Sequence, residues 1–290
     1  MAPSTLYKYT TDTTAQIILS SGRLRWSSPS LFNDLAEFKR MPRFSPTVAE
    51  AHGLLPRVLV DAVQGKGSLD FARLAPQVKL LVTMIEMLIK SGQPESRVCE
   101  MLAQQNPDAD HKIEEALRDH FESLGSNQAR VLCLTSKFDN EVMWGTYAGN
   151  HSGVVFGFTH IPELSTPLTE ARQVSYSEQP PVVGSGLDFL LYGDNPELRA
   201  RTLQAVCYTK KAAWSYEQEW RVLTWCPEES DRAFADYLFY SNELESVTFG
   251  ARSSAQLIEH ITTIMREKYP HAARHKMESI NGELRRVSLP

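Results

Sequence analysis

The spacing of hydrophobic residues divides the chain into three zones. Residues 4–45 alternate in “TLYKYT” and “RLRWSS”, and between them “TDTTAQIILSSG” has the threonine and aspartate start and the glycine stop of a helix. Residues 46–127 carry apolar side chains at helical spacing, and several of these segments end at glycine or Asn-Pro. Residues 128–290 return to strand-like segments with helical stretches between them.

This order predicts an α+β protein. We expect a split, mainly antiparallel sheet core built from residues 1–45 and 128–290, with residues 46–127 inserted as a helical subdomain. Near the end of the chain, Asn281 and Gly282 separate two alternating runs, and Asn-Gly between such runs is a strong signal for a two-residue hairpin.

Charge and cysteine content narrow the class of protein. The net charge of −5 gives no broad attraction for nucleic acid or anionic membranes, although a local basic groove stays open. The four cysteines are widely spaced and form no CxxC pair, which favours a reduced, cytoplasmic protein. The N-terminal segment has no signal-peptide pattern, and the most apolar window, “VKLLVTMIEMLIK”, is interrupted by charges, so we expect no membrane span.

The first chemical candidate is “WSYEQEWRVLTW”, residues 214–225, which alternates as a strand. Its expected core face carries Trp214, Tyr216, Gln218, Trp220 and Val222. Its other face carries Ser215, Glu217, Glu219, Arg221 and Leu223. Strand geometry places the two glutamates about 7 Å apart. This second face is either a solvated surface with an incidental ion pair between Glu219 and Arg221, or a carboxylate pair that acts as acid, base, cation stabiliser or metal ligand.

Two further segments carry polar groups that suit a ligand. In “LRWSSPSLFNDLAEF”, Ser27 and Ser28 could donate to a ligand and Asn33 and Asp34 could anchor it. The same Asn-Asp, followed three residues later by Glu37, equally fits the entry of a helix.

The third segment, “MWGTYAGNHSGVVFGF”, places Trp144 and Tyr147 three residues apart on a helix. Aromatic residues at this spacing serve either as core or as a platform for a ligand. His151 lies in the loop before an apolar strand, where it is either a general acid or a surface side chain.

Taken together, these motifs resemble a large bacterial family of proteins of unknown function. The family pattern has an opening “LYKY”, an “FSSP” segment leading to “FNDP” and a glutamate, an “MW” with “HYA” before a glycine-containing strand, and a “W-YE-E-R” segment. This chain has “LYKYT”, “SSPSLFNDLAE”, “MWGTYAGNHSGVVFGF” and “AWSYEQEWR”. It departs from the pattern at Leu35, where proline is usual, and at Thr146, where histidine is usual, although His151 is present.

More remotely, the motif order is similar to that of the ADP-ribosyltransferases. Those enzymes place a polar or basic residue on a first strand, a serine- or tyrosine-bearing segment on the next, and a glutamate pair on a later strand. The resemblance implies that Glu219 is the catalytic glutamate and that Glu217 positions the acceptor. It further implies that Lys8 meets the pyrophosphate of NAD, that the two serines meet the nicotinamide amide, and that Tyr7 or Tyr147 stacks on the nicotinamide ring.

The expected function is therefore that of an NAD-consuming enzyme that transfers ADP-ribose to a macromolecule, with NAD hydrolysis as a variant and toxin or anti-phage roles in view. NAD is the expected substrate, the protein or nucleic-acid acceptor stays open, and no metal is expected. One alternative is a metal-dependent nuclease or hydrolase that uses Asp34, Glu37, Glu217 and Glu219. Another is a non-enzymatic module that binds a nucleotide or a protein.

Overall fold

The computed structural model describes residues 3–103, 106–123, 128–226 and 232–290. The strands are β1 Thr5–Thr10, β2 Arg23–Ser27, β3 Arg43–Phe44, β4 Ala129–Thr135, β5 Val154–Thr159, β6 Arg172–Gln173, β7 Ser175–Tyr176, β8 Val182–Gly184, β9 Thr209–Lys210, β10 Glu219–Trp225, β11 Phe234–Leu238, β12 Leu244–Phe249, β13 Ala273–Ile280 and β14 Glu283–Ser288. The helices are α1 Asp12–Ser21, α2 Val48–Val63, α3 Pro76–Lys90, α4 Glu95–Leu102, α5 Ala109–Ser123, α6 Glu141–Thr146, α7 Gly186–Tyr192, α8 Pro196–Cys207 and α9 Ala255–Lys268.

Local sequence sets the ends of α1 as expected. The hydroxyl of Thr11 accepts a hydrogen bond from the backbone N–H of Thr14, which satisfies a donor at the start of the helix. Gly22 ends the helix with φ +64° and donates its N–H to the carbonyl of Ile18. The helix therefore begins after Thr11 and ends before Gly22, as its sequence predicts.

The chain divides into two compact units. One comprises Met1–Leu35, Leu124–Glu178 and Lys210–Pro290, and the other Ala36–Ser123 and Gln179–Thr209. The second unit contains α2 to α5 together with α7, α8 and the short parallel pair of β3 and β8. The domain boundary expected at residue 127 falls in the segment 124–127, outside the described residues, so it stays a prediction.

The first unit is built on a large sheet with the strand order β11-β2-β4-β1-β5-β12-β13-β14, and β10 pairs with β4 and β6. The pair β12–β13 is parallel, and the remaining pairs of this sheet are antiparallel. The prediction of an α+β protein with a mainly antiparallel sheet is confirmed. The Asn281–Gly282 hairpin is also confirmed, since both residues have positive φ and β13 pairs with β14 directly across them.

The strand β4 organises the part of the sheet that carries the candidate chemistry. Along one edge it pairs with β10 over its whole length, from Thr135 opposite Glu219 to Ala129 opposite Trp225. It also pairs with β1 at a single position, Tyr7 opposite Thr135, and with β2 at Ser27 opposite Val131. The strands β1 and β2 thus meet β4 at different points along its length.

Each face of this sheet is covered by a different hydrophobic cluster. Leu19 of α1 and Ile261 of α9 pack with Phe156 on one face. On the other face, Trp144 of α6 is fully buried against Tyr9. Within the described residues, no helix has both the length and the apolar character needed to cross a membrane.

Candidate functional site

The segment around Glu217 and Glu219 differs from the predicted continuous strand. Residues Ala212–Glu217 form 3₁₀ turns, Gln218 has φ +43° in the left-handed region, and β10 begins only at Glu219. The strand prediction for 214–218 is therefore wrong. A left-handed residue breaks the two-residue alternation, and glutamine has no sequence signature for that conformation.

The expected burial of the two faces is also wrong in this segment. Glu217 and Glu219 are each only 4% exposed, whereas Trp214 and Tyr216 are half-buried and Gln218 is exposed. A buried carboxylate must be paired or hydrogen-bonded, because isolated burial of its charge is unfavourable. The alternative of a solvated face therefore does not hold.

Lys210 bridges the two carboxylates. Its Nζ lies 2.6 Å from Oε2 of Glu217 and 3.2 Å from Oε2 of Glu219, and its side chain is itself buried. Arg221 forms a bidentate ion pair with Glu219: its Nε lies 2.6 Å from Oε1 and its Nη2 2.8 Å from Oε2. Such fork-shaped pairs fix both partners in one orientation. The four side chains form what we call the charge cluster.

Burial and charge oppose each other in the charge cluster. Burial raises the pKa of Glu219, and the charge of Lys210 opposes that shift. Burial lowers the pKa of Lys210, but the two glutamates raise it more, so the net shift is upward. Burial also lowers the pKa of Arg221, and the charge of Asp34 acts in the opposite direction. Within the charge cluster itself, two carboxylates face two cations, with Asp34 and Lys8 as the nearest further charges.

Two tyrosines complete the surroundings of the carboxylates. The hydroxyl of Tyr147 donates to Oε1 of Glu217 over 2.5 Å, and Asn33 Nδ2 donates to the Tyr147 hydroxyl over 3.4 Å. The hydroxyl of Tyr176 accepts from the backbone N–H of Glu219 over 2.8 Å. Burial raises the pKa of Tyr147 and of Tyr176, so both remain protonated and act through hydrogen bonds. Tyr147 and the exposed Asn33 connect the charge cluster to the surface.

The segment with Asn33 and Asp34 contributes further to this site. Asp34 is buried, and the ring centroid of Phe32 lies 5.6 Å from the guanidinium carbon of Arg221. No helix begins at this Asn-Asp within the described residues, so the helix-entry alternative does not hold. Glu37 belongs to the second unit.

Ser27 is the last residue of β2, and Ser28 follows it directly. The hydroxyl of Ser28, which is fully buried, accepts from the N–H of Ser30 at the start of a 3₁₀ turn. Ser27 pairs opposite Val131, four residues along β4 from Thr135, which corresponds to about 13 Å. Among the described residues, no hydrogen bond or ion pair joins Ser27 to the charge cluster.

Tyr7 and Lys8 lie next to the charge cluster on β1. Tyr7, Thr135 and Glu219 share one transverse row of the sheet. Lys8 donates from Nζ to the backbone carbonyl of Cys133 over 2.9 Å. It satisfies this carbonyl near the single position where β1 and β4 pair.

His151 lies elsewhere. Its ring stacks on Trp144 with an interplanar angle of 11°, and its backbone has φ +69°. Its carbonyl accepts from the N–H of Arg252. These contacts place the His151 ring against Trp144 of α6.

Sequence reasoning missed Lys210 and Tyr176. Each is the last residue of a short segment that carries no catalytic motif: Lys210 ends “AVCYTK” and Tyr176 ends “QVSY”. One usable signal was available: two acidic residues within an aromatic segment need buried cations, and Lys210 is seven residues before Glu217. It also missed Cys133, whose pKa is raised by burial and by Glu219.

Asn140 holds the 3₁₀ segment in place. Its Oδ1 accepts from the N–H of Met143 at the start of α6, and its Nδ2 donates to the carbonyl of Tyr216 over 2.6 Å. Asn140→Ala is expected to lower the free energy of unfolding by about 1–2 kcal/mol, since a cap and a partly buried bond are lost. Urea denaturation measures this loss. Asn140→Asp keeps the cap acceptor and lacks the donor to Tyr216, so a loss equal to that of Asn140→Ala would show that the cap contributes nothing.

Comparison with known proteins places the charge cluster inside a recognised segment. A family model described as “Protein of unknown function (DUF2971)” matches residues 143–222, just over a quarter of the chain. This segment contains Tyr147 and all four members of the charge cluster. It supports the resemblance to a family of unknown function there, while “LYKYT” and “SSPSLFND” lie outside it. Searches of curated proteins and of solved structures found no significant match.

The position of Lys210 affects whether the two glutamates could bind a metal ion. Lys210 Nζ lies between the two glutamates, in the position where a bridging cation would sit. Among the described residues, no group of three or more histidine, cysteine, aspartate or glutamate side chains could hold a metal ion. The two carboxylates are thus bridged by the Lys210 ammonium, and Arg221 pairs with Glu219.

Proposed function

We propose that this chain is an NAD-consuming enzyme that transfers ADP-ribose to a macromolecule, with hydrolysis of NAD as its side reaction. The observation that carries the proposal is the pair of buried glutamates, held by Lys210 and reached from the surface through Tyr147 and Asn33. A fixed carboxylate such as Glu217 suits a reaction in which a cation develops on the substrate.

The chemistry needs one such anion. When the bond between the ribose C1′ and the nicotinamide nitrogen breaks, nicotinamide leaves with the electron pair and C1′ acquires oxocarbenium character. The acceptor nucleophile then forms a bond to C1′ and loses its proton. A preorganised carboxylate in a partly dry site stabilises the developing charge without reorganisation of solvent.

We assign this stabilising role to Glu217 rather than to Glu219. Both oxygens of Glu219 already accept from Arg221, so it acts as a positioning residue that fixes Lys210 and Arg221. Oε1 of Glu217 accepts from the Tyr147 hydroxyl, and a ribose hydroxyl of the substrate can take over that bond.

The topology supports an ADP-ribosyltransferase-like arrangement of the sheet. The strands β1 and β2 pair with β4 at different positions, and Tyr7, Lys8, Ser27 and Ser28 lie on these two strands or directly after them. In this proposal Lys8 exchanges its bond to the Cys133 carbonyl for the pyrophosphate. A role as a toxin or an anti-phage effector follows from NAD consumption and is part of the same proposal.

The test is release of nicotinamide from NAD by the purified chain, with and without cell lysate as a source of acceptor. Glu217→Gln is expected to lower the rate by at least about 100-fold, because the charge is lost and the shape is kept. Tyr147→Phe is expected to lower it by about 10-fold. Glu163→Gln, an exposed glutamate of the same unit, is the matched control and should release nicotinamide at the wild-type rate.

Each outcome has a separate meaning. No release by the wild type in either condition rejects NAD chemistry. Release that Glu217→Gln leaves unchanged keeps NAD chemistry and rejects the assignment of Glu217. Loss of activity on addition of a chelator would favour the metal-dependent nuclease or hydrolase, which the position of Lys210 otherwise disfavours.

A second candidate is a non-catalytic nucleotide-binding module. It is favoured by the burial of Glu217, which is 4% exposed and whose two oxygens accept from Tyr147 and Lys210. In that case the ion pairs of the charge cluster serve only to stabilise the folded structure. Glu217→Gln would then lower the melting temperature while NAD, measured by calorimetry, bound without being cleaved.

A further inference from the structure

A second surface of the first unit combines half-buried aromatic rings with cations. We call it the aromatic ledge and define it by Tyr7, Phe138, Tyr216, Lys137 and Arg286. The three aromatic side chains pack against the cluster that contains Trp144, and the rings of Tyr7 and Phe138 meet edge to face at 5.5 Å. Lys137 and Arg286 are exposed.

The two neighbouring arginines of β14 behave differently. Arg285 pairs with Glu283 over 3.1 Å and lies opposite Glu278. Arg286 lies opposite Met277, and its guanidinium carbon lies 4.0 Å from the centroid of Phe138. Within the part of the chain that the structure describes, neither Arg286 nor Lys137 has an ion pair. An exposed arginine stacked on a ring keeps its donors available for an anion.

This combination fits one class of ligand. Nucleic-acid bases stack on aromatic rings and on guanidinium planes, and phosphates bind cations that have no acidic partner. Duplex DNA presents its bases edge-on in the grooves, so half-exposed rings suit unpaired bases. Asp139 and Glu141 are the acidic neighbours on the same loop and helix, and they limit the strength of phosphate binding.

We propose that the aromatic ledge binds single-stranded nucleic acid, with bases on the rings and phosphates at Lys137 and Arg286. The ledge adjoins the charge cluster, because Tyr216 directly precedes Glu217 and Tyr147 packs against the same hydrophobic cluster. Binding needs no NAD. Where the proposed NAD chemistry also holds, the bound strand is the acceptor, and that extension rests on the proposed function.

The experiment is fluorescence anisotropy of a labelled oligothymidylate and a labelled oligouridylate, each about 20 nucleotides long, titrated with the full chain without NAD. A DNA duplex of the same length is the comparison. Affinity is expected to fall as salt rises from about 0.05 M to 0.2 M. Arg286→Gln is expected to weaken single-strand binding by about fivefold or more, and Arg285→Gln on the same strand by less than about twofold.

Phe138→Leu separates stacking from charge. It keeps an apolar side chain and is expected to weaken binding by about threefold or more at either salt concentration. Lys137→Gln, on an exposed loop, tests the phosphate contact if Arg286→Gln melts below the wild type. The proposal is overturned if neither oligonucleotide binds saturably, if the duplex binds as tightly, or if Arg286→Gln and Arg285→Gln have equal effects. Because NAD is absent, failure of the nicotinamide assay leaves this result intact.

Discussion

Lys210→Met is expected to lower the free energy of unfolding by about 3–5 kcal/mol near neutral pH. The substitution leaves two buried carboxylates with one cation, Arg221, and an unpaired buried charge is far less favourable than a paired one. Methionine keeps an apolar side chain of similar length, and the substitution removes the cation–π contact of Nζ with Trp214, whose ring centroid lies 4.8 Å away in the wild type. The loss therefore reports charge rather than packing.

The stability that Lys210→Met loses relative to the wild type is expected to become smaller as the pH falls. Burial raises the pKa of Glu219, and Lys210 opposes this shift, so removal of the lysine raises that pKa further. A carboxyl group with a raised pKa in the folded state binds its proton more tightly there, so the variant gains stability as pH falls toward that pKa. The deficit relative to the wild type should shrink between about pH 7.5 and pH 5.

Urea denaturation at several pH values measures both effects. Lys211→Met is the matched control, since Lys211 is the next residue, is exposed and makes no ion pair with any residue that the structure describes. It should change the free energy of unfolding by less than about 0.5 kcal/mol. Equal losses for the two lysines, or a Lys210→Met deficit that does not change with pH, would contradict an ionised cluster.

Trp144→Ala is expected to cost about 3–5 kcal/mol of folding free energy. The side chain is fully buried, packs edge to face on Tyr9 at 5.3 Å, and donates from its indole nitrogen to the carbonyl of Phe138 over 2.8 Å. Alanine leaves a large cavity and an unsatisfied carbonyl. Trp144→Phe should recover most of the packing while leaving the carbonyl of Phe138 without its donor.

Thermal and urea unfolding measure this change. Val142→Ala, at an exposed position of the same helix, is the control and should shift stability by less than about 0.5 kcal/mol. A loss below about 1.5 kcal/mol for Trp144→Ala would mean that the site collapses around the smaller residue. It would also mean that α6 is not anchored to the sheet through this tryptophan.

Sequence patterns predicted the parts of the fold that depend on local signals. Alternation and turn chemistry identified the antiparallel strands and the Asn281–Gly282 hairpin, since both are encoded within a few residues. The same reasoning failed at residues 214–218 because a left-handed Gln218 ends a 3₁₀ segment directly before β10, without glycine or asparagine to indicate it. The alternation of apolar and polar residues does not show where a single residue adopts a left-handed backbone conformation.

The candidate site was predicted in part for a similar reason. Asn33, Tyr147 and Glu217 were each singled out separately, and the structure joins them by hydrogen bonds. Their partner Lys210 was missed because its role depends on which side of the sheet the preceding segment reaches, and no local pattern specifies that. Ser27 was singled out on sequence context, and the register of β2 on β4 offsets it by four residues from the row that holds Glu219, while the ring of His151 stacks on Trp144.

The four residues of the charge cluster all lie between positions 210 and 221. Closing so short a loop costs little chain entropy, so their ion pairs can form in water before the rest of the sheet assembles. Their removal from water, by contrast, requires β4, more than seventy residues earlier in the sequence. Exposed ion pairs in water contribute little to stability, so the charge cluster affects stability mainly once the long-range pairing of β4 with β10 buries it, a step that we expect after the folding transition state. Substitutions in the charge cluster should therefore act mainly on the rate of unfolding and leave the rate of folding nearly unchanged.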